Sequence, residues 1–308
     1  MRNWILVVIV VVLAVYGGVS YYFSSKLLYP HLANDEELKA EYGPISPDEV
    51  DLAVEDVQFQ ARGDDEITIS AWWIETKRAS YQKKAFILVH GANSNKKALT
   101  RYAPFFVSRG ISALLIDLRG HGESSKGYNT FGDKERNDVM GAVDFLSEKG
   151  YAPEDDIGLF GLSMGATASY LAAMDLNKKK AGTVDILIFD SGIADVPSSI
   201  EFNSRKAVGG AVTFLLPGAL ITAWSRSCAD YKDGSPIAHL DDIDIPILFV
   251  MHDMDEIVPY DEQVELYEGY KGPKEELKFE GLGHHRGHVE KKVEYEEAVD
   301  KFLKKYNF

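Results

Sequence analysis

The chain has 308 residues, 45% hydrophobic and 26% charged, with a formal net charge of −15. That length can bury one large core, while the negative balance, with no basic patch interleaved with aromatics, argues against nucleic acid or another phosphate-bearing partner. The lone cysteine, Cys228, excludes an internal disulfide and a Cys-rich metal site, and reads as buried filler.

Trp4–Phe23 carries no charge, and a helix of about 20 residues spans roughly 30 Å, the thickness of bilayer hydrocarbon. Trp4 at one end and Tyr21-Tyr22 at the other suit interfacial aromatic belts. Residues 1–23 therefore read as a membrane anchor. Only Arg2 and the α-amino group precede the apolar run, while Lys26 follows it; positive-inside bias keeps the N-terminus cytoplasmic and the body extracytoplasmic. Gly18-Val19-Ser20 offers a small-x-small cleavage site, but the apolar run is longer than a signal core, and an uncleaved anchor is the expectation. No Asn-x-Ser/Thr acceptor occurs, which suits a bacterial exoplasmic protein. Residues 24–55 form a juxtamembrane segment with Pro30, Pro44, Pro47 and the acidic Asp35-Glu36-Glu37, expected to pack irregularly.

From residue 56 to 308 the pattern is α/β. Val57–Gln60 and Ile67–Ile74 alternate as paired antiparallel strands joined through Arg62–Asp65. Ala85–Val89, Ile111–Ile116, Ile157–Phe160, Val184–Phe189 and Ile245–Met251 are apolar runs, as expected of strands covered on both faces, and Leu277–Phe279 adds a further strand. Ala98–Ser108, Lys134–Lys149, Ser163–Met174 and Glu290–Lys305 read as helices. Strands alternating with helices imply a doubly wound, mostly parallel sheet, which binds ligands beyond the carboxyl ends of its strands. Residues 191–244 break the rhythm and are too long for a plain loop; they read as a small helical lid. Within the lid, Phe202, Phe214, Leu215, Leu216, Leu220, Ile221 and Trp224 either pack it down or face a pocket.

The chemistry gathers around Ile157–Ala173. There Gly161-Leu162-Ser163-Met164-Gly165 lies between a strand and a helix, a turn that exposes its central serine at the positive end of the helix. A serine hydroxyl needs a base at neutral pH, the base needs an acid to fix its tautomer, and the oxyanion needs N–H donors. His284, His285 and His288 are candidate bases, and without a His-Glu-x-x-His pattern they do not suggest zinc. Asp255 follows a strand, with Asp253, Glu256 and the strand-end Asp190 as competitors. The Met164 amide, next to the nucleophile, is one oxyanion donor.

Five motifs occur in order: Val89-His90-Gly91, Asp117–Ser124, Gly161–Gly165, Asp255-Glu256-Ile257-Val258-Pro259 and Gly281-Leu282-Gly283-His284. In this the chain resembles membrane-anchored, esterase-like serine hydrolases of the α/β-hydrolase superfamily, from about Val57 to the C-terminus. The resemblance implies Ser163 as nucleophile, His284 as base, Asp255 as acid, and Ala92 as the second oxyanion donor beside Met164. It gives Asp117, Arg119 and His121 a bracing role. His252 stands where a glycine is usual, three residues before the acid. His90 reads as a structural hydrogen-bonding residue beneath the site. The expected activity is hydrolysis of carboxylic ester or thioester bonds in small or lipid-like acyl substrates, with no cofactor and no metal. The membrane is expected as a partner through the N-terminal helix. A serine peptidase of the same fold and a non-catalytic membrane-anchored binding protein are the alternatives; no propeller-sized domain precedes the hydrolase part to favour the peptidase, and an aspartate-based dehalogenase does not fit a serine at 163.

Overall fold

The computed structural model describes residues 2–29, 31–76, 83–151 and 156–308; Pro30 lies outside them. A long helix, α1 (Arg2–Leu28), leads into a short one, α2 (Asp35–Tyr42). The first, from Asn3 to Leu28, is long and apolar enough to cross a membrane, and continues past Phe23 without a break. The second was not expected. Asn34 caps it by accepting from the Glu36 and Glu37 amides, while Glu37 reaches back to the Asn34 amide, a capping box that supports a helix without an apolar stripe.

Strands β1 (Glu55–Ala61) and β2 (Asp64–Ile74) form the expected antiparallel hairpin. The remaining strands are β3 (Lys84–Val89), β4 (Ser112–Ile116), β5 (Asp156–Leu162), β6 (Ile186–Asp190), β7 (Ile247–His252) and β8 (Lys274–Phe279). All eight join one sheet in the order β1-β2-β4-β3-β5-β6-β7-β8, parallel from β4 to β8. Along β3, Ala85, Ile87 and Val89 enter one buried cluster and Phe86 and Leu88 another on the opposite face, which is why its run is apolar without alternation. Val89 pairs with both Ile116 and Gly161, and Leu162 with Asp190. The carboxyl ends of the central strands therefore finish at one edge.

Helices α3 (Ala103–Val107), α4 (Glu135–Glu148), α5 (Met164–Lys179), α6 (Val196–Val208), α7 (Val212–Ser227), α8 (Tyr260–Gly269), α9 (Gly287–Glu290) and α10 (Lys292–Lys305) complete the doubly wound architecture. The expected helix 98–108 is instead a 3₁₀ turn, Lys96–Leu99, followed by α3. Proline fits best in a helix's first turn, where its missing amide costs nothing, and Pro104 takes that position in α3. The expected closing helix from Glu290 divides into α9 and α10 at Lys291 (φ −129°). Residues 191–244 are helical, with α6 and α7 as a hairpin and no strand among the described residues. Cys228 corrects its reading as buried filler: it is exposed, at φ +53°, just beyond the end of α7.

Candidate active site

Ser163 sits between β5 and α5 with φ +52° and ψ −122°. No side chain other than glycine adopts such a backbone readily, so the surrounding fold must impose it. A Cβ on Gly165 would stand 2.4 Å from the carbonyl oxygens of both Val89 and His90, and one on Gly161 would stand 2.3 Å from the Ala166 Cα. Both glycines are therefore required by close backbone approach. The Ser163 amide donates to the Asp190 carbonyl at 2.8 Å, tying the turn to the next strand. Met164 is the first residue of α5, where helical amides lack intrahelical acceptors. Ala92 lines the same cavity as the serine, directly after Gly91, whose Cβ position is 3.1 Å from the Ser163 Cβ.

His284 Nδ1 donates to Asp255 Oδ2 at 2.7 Å. The other carboxylate oxygen accepts from the Ile257 and Val258 amides at 2.9 and 2.8 Å, and Gln263 Nε2 donates to Oδ2 at 3.1 Å. Burial alone would raise this carboxyl, but the His284 imidazole and the two amides outweigh it and hold Asp255 below the ordinary range. Its competitors face elsewhere. Asp253 accepts from the Gly281 amide at 2.7 Å, and Glu256 lies 3.4 Å from the His284 amide. Asp190 takes bonds from Tyr295 (2.7 Å) and Ser191 (3.0 Å).

The other imidazoles are engaged structurally. His285 stacks on Tyr42 and lies 3.3 Å from Glu41. His288 accepts from Arg101 Nε at 2.8 Å. Burial keeps both below the usual histidine range. His90 Nε2 accepts from the Leu118 amide at 3.0 Å while Nδ1 donates to the Gly91 carbonyl at 2.7 Å, as expected of a bracing residue, and burial holds it neutral. Asp117 accepts from the Lys96 amide and ammonium and from the Glu123 amide. Arg119 forks onto Asp138. His121 Nδ1 donates to the Arg119 carbonyl at 2.9 Å, so Asp117, Arg119 and His121 all fix loops beside the site. Among the described residues, no group of histidine, cysteine and acid side chains is arranged to hold a metal.

The Ser163 hydroxyl makes no hydrogen bond to His284 among the described residues, a contact that in unliganded enzymes often closes only with substrate. The histidine loop is nonetheless pinned beside the Ser163 turn. The His285 amide donates to Ser191 Oγ at 3.2 Å, and Ser191 follows Asp190, the acceptor of the Ser163 amide. His252 completes this floor, a role its sequence position did not reveal. Its Nε2 accepts from the Gly287 amide at 2.9 Å, so its Nδ1–H faces Ser191 Oγ, also at 2.9 Å, and Ser191 donates onward to Asp190. Burial lowers His252 to about 4, which keeps the ring neutral as this pattern requires.

Burial also raises Asp190 to about 6. An acid that binds its proton more tightly folded than unfolded favours the fold below the unfolded value, about 4, and loses that contribution as pH rises through about 6. Asp190→Asn removes this titration. Its unfolding free energy relative to wild type is expected to improve by about 2–3 kcal/mol between pH ~4 and pH ~7, whatever constant offset the altered hydrogen bonds add. Chemical unfolding of both proteins across that range checks this; a constant difference would contradict it.

A cavity of about 570 Å³ opens onto Ser163. Of the expected lid residues, Leu215 and Leu216 line it, joined by Val212 and Ala219. Phe214, Ile221 and Trp224 do not; they point outward. The other wall was not foreseen: Tyr22, Phe23, Lys26 and Leu27 of α1 face the cavity.

The family described as the prolyl oligopeptidase family matches residues 98–307. The protein YqkD of Bacillus subtilis is 28% identical over 221 residues, covering 72% of this chain and 71% of that protein. The acyltransferase drtE of Aspergillus calidoustus is 26% identical over 273 residues, 75% of this chain and 87% of its own. The esterase PF2001 of Pyrococcus furiosus superimposes with a TM-score of 0.68 at 21% identity, over 91% of this chain and 97% of that one.

Proposed function

Because the chain belongs to the prolyl oligopeptidase family, and is thereby a hydrolase of the α/β-hydrolase superfamily, we propose that it cleaves carboxylic ester or thioester bonds of acyl substrates through Ser163, His284 and Asp255. The observation that carries this reading is the 2.7 Å bond from His284 Nδ1 to a buried Asp255, beside a serine held at φ +52°. Asp255 keeps the proton on Nδ1 and leaves Nε2 free to accept one. Ser163 Oγ attacks the acyl carbonyl as His284 takes its proton, and the oxyanion is held by the Ala92 and Met164 amides. Collapse breaks the bond to the alcohol or thiol, which leaves with the proton from His284. Water, deprotonated by the same ring, then releases the acid and restores the serine.

The largely apolar cavity supports an acyl group rather than a charged peptide terminus. Relatives described as an acyltransferase and an esterase agree with acyl chemistry, whereas the family's description points to peptides. Comparing kcat/KM for p-nitrophenyl esters, acyl thioesters and peptide p-nitroanilides decides between them. Once each value is divided by the uncatalysed hydrolysis rate of its substrate, the ester or thioester is expected to exceed the peptide by at least about 100-fold, on the scale that a mismatched site imposes on the wrong substrate; the reverse order would install the peptidase reading. We further propose that α1 is a retained anchor, that residues 24–55 join it to a hydrolase domain of residues 56–308, and that this domain lies outside the cytoplasm.

A further inference from the structure

The two walls of the cavity are helices that run side by side. Tyr16 Oη donates to the Phe214 carbonyl at 2.9 Å. A Cβ on Gly218 would stand 2.3 Å from Ser20 Oγ, so the two helices touch closely there. Arg226 Nη1 donates to Ser24 and Ser25 at 2.8 Å each. The contacts advance in the same direction on both helices, so α7 lies parallel to the second half of α1. Phe214 stands level with Tyr16, seven residues before the apolar run ends at Phe23, or about 10 Å along the helix axis. If α1 spans a bilayer, the α6–α7 tip cannot remain outside it.

The composition of the hairpin agrees. No charged residue occurs between Lys206 and Arg226. Phe214, Ile221 and Trp224 make a stripe along one side of α7 with 75%, 67% and 60% of their surfaces exposed, while Val212, Leu215 and Ala219 face the cavity on the other. A helix apolar on both sides needs a core or a lipid environment, and the described protein covers only one side. Where the hairpin meets the body, the Arg226 guanidinium lies over the rings of Tyr21, Tyr29 and Tyr128, a cation among aromatics as at a membrane–water boundary.

We propose that the α6–α7 tip is immersed in the same leaflet as α1, and that the cavity draws its substrate sideways from that leaflet: a long-chain acyl ester embedded in lipid. Its chain lies between α1 and α7, and its ester reaches Ser163. The chemistry in this statement rests on the hydrolase mechanism proposed above; the immersion does not.

The full chain, carrying Cys228→Ser and Gly210→Cys, is reconstituted in phosphatidylcholine–phosphatidylglycerol vesicles with a nitrobenzoxadiazole label at position 210. The Gly210 Cβ position meets nothing within 4 Å and its φ is ordinary, so the cysteine fits. The label is expected to be quenched by spin-labelled lipid and shielded from aqueous iodide; quenching by iodide alone would overturn the immersion. In the second arm, Ile221→Glu is expected to lower hydrolysis of a fluorogenic long-chain ester in vesicles by at least about tenfold, given the cost of a carboxylate in lipid, and to leave a soluble short-chain ester within about twofold. Trp224→Lys repeats the comparison should Ile221→Glu disturb the helix. Equal effects on both esters in a folded variant would overturn lateral entry. If wild type hydrolyses neither ester, the mechanism has failed, and the quenching still decides the immersion.

Discussion

His284→Asn is expected to lower kcat/KM on a short p-nitrophenyl ester by about 10⁴- to 10⁶-fold, the range seen when a triad base or its partners are removed, while far-UV circular dichroism stays that of the wild type. The magnitude follows from what the ring does in the proposed mechanism: it takes the serine proton, returns it to the leaving group, and repeats both transfers for water. Asparagine can do none of these. The fold should survive because the loop around position 284 is held by other bonds, the His285 amide to Ser191 and the Gly287 amide to His252. Asp255 keeps its two amide donors and Gln263, so losing one bond to a charged acceptor costs about 1.5–3 kcal/mol. A rate near wild type would move the base to another ring. His285 is poorly placed for that role, stacked on Tyr42 and paired with Glu41.

The parts of the fold legible from sequence are those set by local physics. Continuous apolar runs marked the strands buried on both faces, and the glycines of residues 161–165 marked a turn that only close backbone contact explains. Telling the candidate acids apart needed the third dimension, because Asp253, Asp255 and Glu256 are indistinguishable by spacing, and of the three only Asp255 reaches the Nδ1 proton of His284. Short polar helices escaped notice. In α2 only Leu38 and Tyr42 are buried, too few for a period, and its one signal is the Asn34–Glu37 capping box. The cavity wall built by α1 was hidden for the opposite reason: a helix apolar all round shows no preferred face, so nothing in its pattern separates Tyr22 or Leu27, which face the cavity, from Val11, which faces outward. His252 interrupted a familiar motif, and its meaning lies in partners at 191 and 287 that no local pattern links to it.

The second large effect concerns the proposed nucleophile. Ser163→Ala removes the only atom proposed to carry the acyl group, and the expected loss is again about 10⁴-fold or more. Alanine must also accept the φ of +52°, so folding is verified alongside the rate. The covalent step itself is more direct than any rate. A fluorophosphonate phosphonylates an activated serine with expulsion of fluoride, and mass spectrometry of the digested protein locates the adduct. One adduct per active chain is expected, on Ser163, absent in Ser163→Ala and strongly slowed in His284→Asn. An active protein that carries its adduct elsewhere, or that still hydrolyses esters once Ser163 is fully modified, would contradict the proposed mechanism.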